Sequence, residues 1–189
     1  MPDPKKSKSR STTREAILRA ASQVIVDKGI DALTLGAVAH AAGVSKGGLL
    51  YHFPNKEALV AGMINYLIDE FEAVLQQEFD HDDALGTPGQ WIRAYVRASI
   101  RFNRQTLALL MNLASAVTTN PAFMEPAQAY EKRWQERLEA SGIDPIRATI
   151  IQLACDGLWF AESFEIGQPS EPLRTQVIEA LLAMTRERD

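Results

Sequence analysis

Cysteine is almost absent from this chain: one residue in 189, Cys155. No intrachain disulfide can form, a structural zinc site is not credible, and a cytoplasmic address is the default expectation. Histidine is nearly as scarce, with His40, His52 and His81 only. No His-x-x-His, Cys-x-x-Cys, Gly-rich phosphate loop or nucleophile elbow occurs, so an enzyme is not expected, nor a cofactor or bound metal. No apolar run approaches the roughly 18 residues that span a bilayer, which removes the membrane as a partner. The first fourteen residues carry charges with no apolar stretch behind them, unlike a secretory signal. Strand signals are missing too: β-branched residues are scattered, and no Asn-Gly or Asp-Gly turn stands between alternating apolar runs.

What is present is charge asymmetry and helical periodicity. The net charge of −4 conceals a division. Residues 1–56 hold nine Lys/Arg against four Asp/Glu, and the other 133 hold eleven against twenty. A basic head on an acidic body is expected when only the first segment meets a polyanion. Apolar residues recur at three- and four-residue spacing from Arg14 to Lys28, where Gly29 ends the run. Thr34 can cap a helix over Leu35–Ala42, Ser45 a third that stops near Phe53-Pro54, and Asn55 a long one over Lys56–Gln77. Asp80–Gln90 reads as a loop. Further helices are expected near 90–104, 105–118, 124–141, 145–166 and 171–187, separated by Asn120-Pro121, Ser141-Gly142, Asp144-Pro145 and Gly167–Pro172. The fold class is therefore all-α, about nine helices. It divides into a disordered basic arm (1–12), a small head (13–57) and a larger acidic domain (58–189).

The head contains two short helices joined by Gly43, a residue free to adopt the positive φ of a tight turn. Leu35, Val38, Ala39 and Ala42 share one face, and the alanines let that helix approach its neighbours closely. Val44 reads as a plug between the helices. The second helix runs Lys46-Gly-Gly-Leu-Leu-Tyr-His, with small residues where a duplex must come close. This run (Ala-Ala-Gly-Val-Ser-Lys-Gly, then Leu49, Tyr51-His52-Phe53, Lys56 and Leu59) resembles the DNA-binding domain of the tetracycline-repressor (TetR) family. The resemblance spans residues 14–60, about a quarter of the chain. It implies that Thr34, Ser45, Tyr51, His52 and Lys56 contact phosphates, with Lys46, Gly47 and Gly48 nearest the base edges. Phosphate contacts would supply affinity, and base contacts specificity. Phe53 reads as core; Arg19 and Lys28 as solvated charges. One departure stands out. Many members carry an aromatic pair where this chain has Leu50-Tyr51, and Leu50 is either core-facing or a methyl contact to a base.

One such helix covers only a few base pairs, so a homodimer on a palindromic double-stranded operator is expected. The last two helices, by apolar content and by the same resemblance, are the candidates for pairing, through Leu153, Phe160, Phe164, Val177 and Leu181. The stretch Cys155–Glu165 sets Trp159, Phe160 and Phe164 among Asp156, Glu162 and Glu165. Aromatic faces beside carboxylates suit an organic cation. With Phe102, Met111, Asn112 and Trp134, residues Trp159 and Glu162 form a candidate effector pocket; the competing reading is ordinary core. Cys155 is expected to be inert packing. The functional expectation is a DNA-binding transcriptional regulator, a repressor released by a small ligand, for example one controlling efflux or detoxification genes. An activator, or a regulator that senses no ligand, is the alternative, and a helical interaction protein without DNA binding a remote one.

Overall fold

The computed structural model describes residues 4–101, 109, 113 and 125–186, with backbone alone at 4–11 and 126. Among them are eight α-helices and one 3₁₀ turn, and no strand. The helices are α1 (Pro4–Lys28), α2 (Leu35–Ala41), α3 (Lys46–His52), α4 (Lys56–Asp80), α5 (Gln90–Arg101), α6 (Glu125–Glu139), α7 (Pro145–Phe164) and α8 (Glu171–Met184). The 3₁₀ turn is Ile30–Ala32. The helix expected over 105–118 lies outside the described residues.

The first difference from expectation is at the start. Backbone that reads as a disordered arm is helical from Pro4. Proline is well suited to a first helical position, and no glycine or second proline interrupts the chain before Gly29. Gly29 then ends α1 at φ 78°, its N–H bonded to Ile25 O at 2.8 Å.

The chain divides into two compact units, Met1–Leu67 with Ala108–Ala127, and Ile68–Leu107 with Gln128–Asp189. The division falls within α4, about ten residues beyond the expected boundary at 57. In the first unit α1 packs on α2 and α2 on α3. Ile17, Leu18, Ala21, Val38, Ala39, Leu49, Leu59 and Met63 are buried there. Phe53 is buried as well, as expected. Its ring occupies the space above Gly62 of α4, where a Cβ would stand 2.6 Å from Cε1. The Arg14 guanidinium caps the same ring 5.3 Å from its centroid.

In the second unit α5 packs on α7 and α8, and α7 on α8. The core gathers Leu75, Ile92, Tyr95, Val96, Leu138, Ile151 and Leu181. Leu181 is thus used inside its own chain, which corrects its assignment to a subunit interface: its face of α8 is turned to the core. Val177 packs against the same core, partly buried.

The loop after α4 is more ordered than a run of Asp, Gly and Pro suggests. Arg93, 1% exposed, reaches into it from α5. Its Nε and Nη2 donate to the Asp82 carboxylate at 2.8–3.1 Å, Nη1 to Pro88 O, and Nη2 also to Ala84 O and Thr87 Oγ1. Arg97 bridges Asp82 and Asp83, and Arg186 beyond α8 joins Asp83 at 2.6 Å. Burial works to raise the Asp82 pKa. Hydrogen bonds from Arg93, the Ala84 N–H and Arg97 outweigh it and hold the carboxyl below its ordinary value. Hydrogen bonds from Arg97 and then Arg186 take Asp83 to about 2.

Candidate nucleic-acid interface and effector region

The turn between α2 and α3 is built by capping. Thr34 Oγ1 accepts the Ala37 N–H at 3.1 Å, and Ser45 Oγ accepts the Gly48 N–H at 3.0 Å. Each hydroxyl thereby satisfies a helix-end donor and keeps its own O–H to give. At the end of α2 the Val44 N–H reaches Ala39 O at 3.0 Å and the Gly43 N–H reaches His40 O at 3.2 Å, with Gly43 at φ 65°. This paired pattern closes a helix on a left-handed residue and sets the angle at which α3 departs. Asn55 repeats the capping device for α4, its Oδ1 accepting the Ala58 N–H at 2.7 Å.

The residues expected to meet DNA lie along this frame. Thr34, Ser45, Lys46, Gly47, Tyr51 and Lys56 are exposed, whereas Gly48 and His52 are half-buried. Tyr51 is 65% exposed, which removes the core reading for it. Its ring meets that of His52 edge-on, centroids 5.3 Å apart. Lys46 and Lys56 are both exposed, and no acid among the described residues forms an ion pair with either. Val44, expected as a plug, is half-buried. Leu50 is exposed at 37% against 0% for Leu49, so of its two expected readings the core-facing one does not hold.

The described members of the expected effector set are not gathered in one place. Phe102, Met111 and Asn112 lie outside the described residues. Trp159 and Glu162 line a cavity of about 10 Å³, too small for more than one water. The Glu162 carboxylate is already joined there to Arg174. Trp134 stands elsewhere, in a cluster with Phe71, Trp91, Tyr95 and Tyr130 at centroid distances of 4.4–6.4 Å. One polar atom of this cluster, Trp91 Nε1, is buried without a hydrogen-bond partner among the described residues. Such a group is costly and calls for an explanation.

Two carboxylates border the cluster. Tyr95 OH donates to Asp156 Oδ1 at 2.5 Å, and Gln152 Nε2 donates to Glu131 Oε1 at 3.2 Å. Burial and the charge of Glu131 raise the Asp156 pKa against the lowering bond from Tyr95, so an unpaired negative charge is disfavoured here. Sequence reasoning had Asp156 in view, but it favoured Glu162; only the fold shows which carboxylate faces the rings and which is already paired. Burial, reinforced by Asp156, pushes the Cys155 thiol up to about 12, so it carries no thiolate at neutral pH. A groove of about 740 Å³, which nothing in the sequence signalled, opens beside the cluster between Glu72, Phe79, Trp91, Arg137 and Ser141.

A capped helix-turn-helix presenting hydroxyls and exposed lysines, on an otherwise acidic chain, defines a DNA-binding regulator. Residues 17–63 match the family model of bacterial regulatory proteins of the tetR family, and residues 89–186 that of the tetracyclin repressor-like C-terminal domain. The chain belongs to the TetR family of transcriptional regulators. The regulator RutR of Escherichia coli K12 is 36% identical over 100 residues, 53% of this chain and 45% of that one. The repressor BepR of Brucella suis is 37% identical over 75 residues, 39% of this chain and 36% of that one. The chain thus spans less than half the length of the curated relatives it matches. The multidrug binding protein EbrR, solved with ethidium, shares the fold. It has a TM-score of 0.65 and 24% identity, over 89% of this chain and 98% of that one.

Proposed function

We propose that the protein is a homodimeric repressor that occupies a palindromic operator and leaves it when a small hydrophobic cation binds the acidic unit. The observation that carries this reading is the capped α2–turn–α3 frame with Lys46, Tyr51 and Lys56 left exposed on it. Lys46 and the two glycines reach the base edges, while Thr34, Ser45, Tyr51, His52 and Lys56 hold phosphates.

Pairing of two chains is supported by α7. Ile146, Ile150, Leu153, Phe160 and Phe164 are all exposed on it, Leu153 at 64%. With Gly157 they recur at alternating steps of four and three, the spacing of a seam between helices. Such a stripe is a liability in a monomer and a core in a dimer. Val177 completes the seam from α8.

For the effector, the support is the aromatic cluster around Trp134 with Asp156 and Glu131 at its border. Aromatic faces attract a cation, and a carboxylate held unfavourably in its charged form gains from one. The fold shared with EbrR makes hydrophobic cations the first class to try. The ligand selects a conformation of the acidic unit whose heads do not fit the operator. Residues of α4 belong to both units, which makes that helix the natural carrier of the change. Repression follows from occupancy of the promoter, in line with the name of BepR.

The test is release of the full-length protein from its operator by tetraphenylphosphonium, a bulky cation that does not intercalate. Release is expected, with the Asp156→Asn variant needing roughly tenfold more cation, about what loss of one charged partner costs. An operator complex indifferent to saturating cation would sink the effector reading and leave DNA binding standing.

A further inference from the structure

Two adjacent leucines in α3 have different fates. Leu49 is fully buried and holds the helix to its unit, whereas Leu50 lies 37% exposed. Leu50 stands three residues after Gly47 and four after Lys46, so the three share one face of the helix. A side chain built on Gly47 would meet nothing within 4 Å, and neither would one on Gly36 of α2. Among the described residues, nothing therefore stands against α3 at Gly47 or against α2 at Gly36.

A leucine can neither donate nor accept a hydrogen bond. Among the groups that base pairs present in the major groove, the apolar one is the C5-methyl of thymine. We infer that Leu50 is a specificity determinant that reads a thymine methyl in each operator half-site, beside the base edge addressed by Lys46. The inference rests on the DNA-binding reading above and adds to it which base the apolar residue selects. Gly47 serves it by letting the helix approach closely enough for a methyl-to-methyl contact.

The test begins with operators selected by the full-length protein from random duplex DNA. Each thymine is then replaced in turn by deoxyuridine, which differs only in lacking the methyl group. The wild-type protein is expected to lose affinity at one position per half-site. Burial of one methyl's worth of apolar surface corresponds to about fourfold for a single replacement, and roughly 15-fold when both half-sites are changed. Leu50→Ala should keep the salt dependence, bind the thymine operator about as weakly as wild type binds the uracil one, and bind thymine and uracil operators equally. Wild type indifferent to uracil everywhere, or Leu50→Ala as sensitive as wild type at the same position, overturns the inference and leaves the DNA-binding reading intact. A selection that enriches no sequence overturns both.

Discussion

Arg93 is the buried charge on which the acidic unit turns, and Asp82 is its counter-ion. Replacing Asp82 by Asn leaves the guanidinium buried with carbonyl and hydroxyl partners only. Removal of one member of a buried pair costs about 3–5 kcal/mol, which should appear as a large fall in the denaturation midpoint. The pH dependence has a definite sign. Asp82 and Asp83 have folded pKa values below their unfolded ones, Asp83 at about 2. Their contribution is present above the unfolded carboxylate pKa near 4 and is lost as pH falls through the folded values. Wild-type stability should therefore drop between about pH 4 and pH 2, and Asp82→Asn should flatten that drop. An unchanged acid limb in the variant would show that the loop network contributes nothing. None of this was visible in the sequence, where Asp82 and Asp83 sat in a stretch that read as an ordinary loop. The partners come from residues 11 to 103 positions away, and no local rule pairs them.

At the scale of the helices, glycines in the head divide into two kinds. Gly62 lies beneath Phe53, and an added methyl would press its ring from 2.6 Å. Overpacking of this kind costs about 1–3 kcal/mol, more than the roughly 1 kcal/mol that alanine returns in helix propensity. Gly62→Ala should therefore lower thermal stability. Gly47→Ala adds its methyl to open space. It should raise stability by about 1 kcal/mol while weakening operator binding, because the methyl enters the gap that DNA needs. Thermal melts paired with operator titrations check both, and a Gly47→Ala variant that binds as tightly as wild type would refute close approach there. These short helices were readable because their signals are local: Thr34, Ser45 and Asn55 each cap the helix they precede. The start of α1 and the spare face of Leu50 were not, since one depended on propensity alone and the other on which of two leucines the core would take.

Across the whole molecule, the division into a basic head and an acidic body was written in the order of charges along the chain. Membership of the family followed from one run of residues near the turn. The proposed effector region was legible only in outline. Its aromatics are spread over α4, α5 and α6, and periodicity reveals each helix's apolar face without saying which faces meet. Trp134 and Trp159 therefore looked like partners, but Trp134 joins Phe71 and Tyr95 while Trp159 lines the cavity closed by Arg174. The exposed stripe on α7 gives the assembly its own prediction. Leu153→Glu should sediment as a folded monomer and lose operator binding, since one head grips a single half-site. A dimer that survives the substitution would place the interface elsewhere.

The central claim is that paired heads, through α3 and the start of α4, bind DNA by its phosphates and choose it by its bases. Fluorescence anisotropy on the DNA upstream of the protein's own and adjacent genes, run across a salt series, tests it most directly. Lys46 and Lys56 from each of two heads bring four cations to the duplex, which predicts tight binding at about 50 mM salt that weakens by roughly 10²-fold by 200 mM. Lys56→Ala should make that salt slope shallower by about 2 for the dimer, without changing which sequence is preferred. Binding that shows no sequence preference, or a salt slope unchanged by Lys56→Ala, would contradict the account.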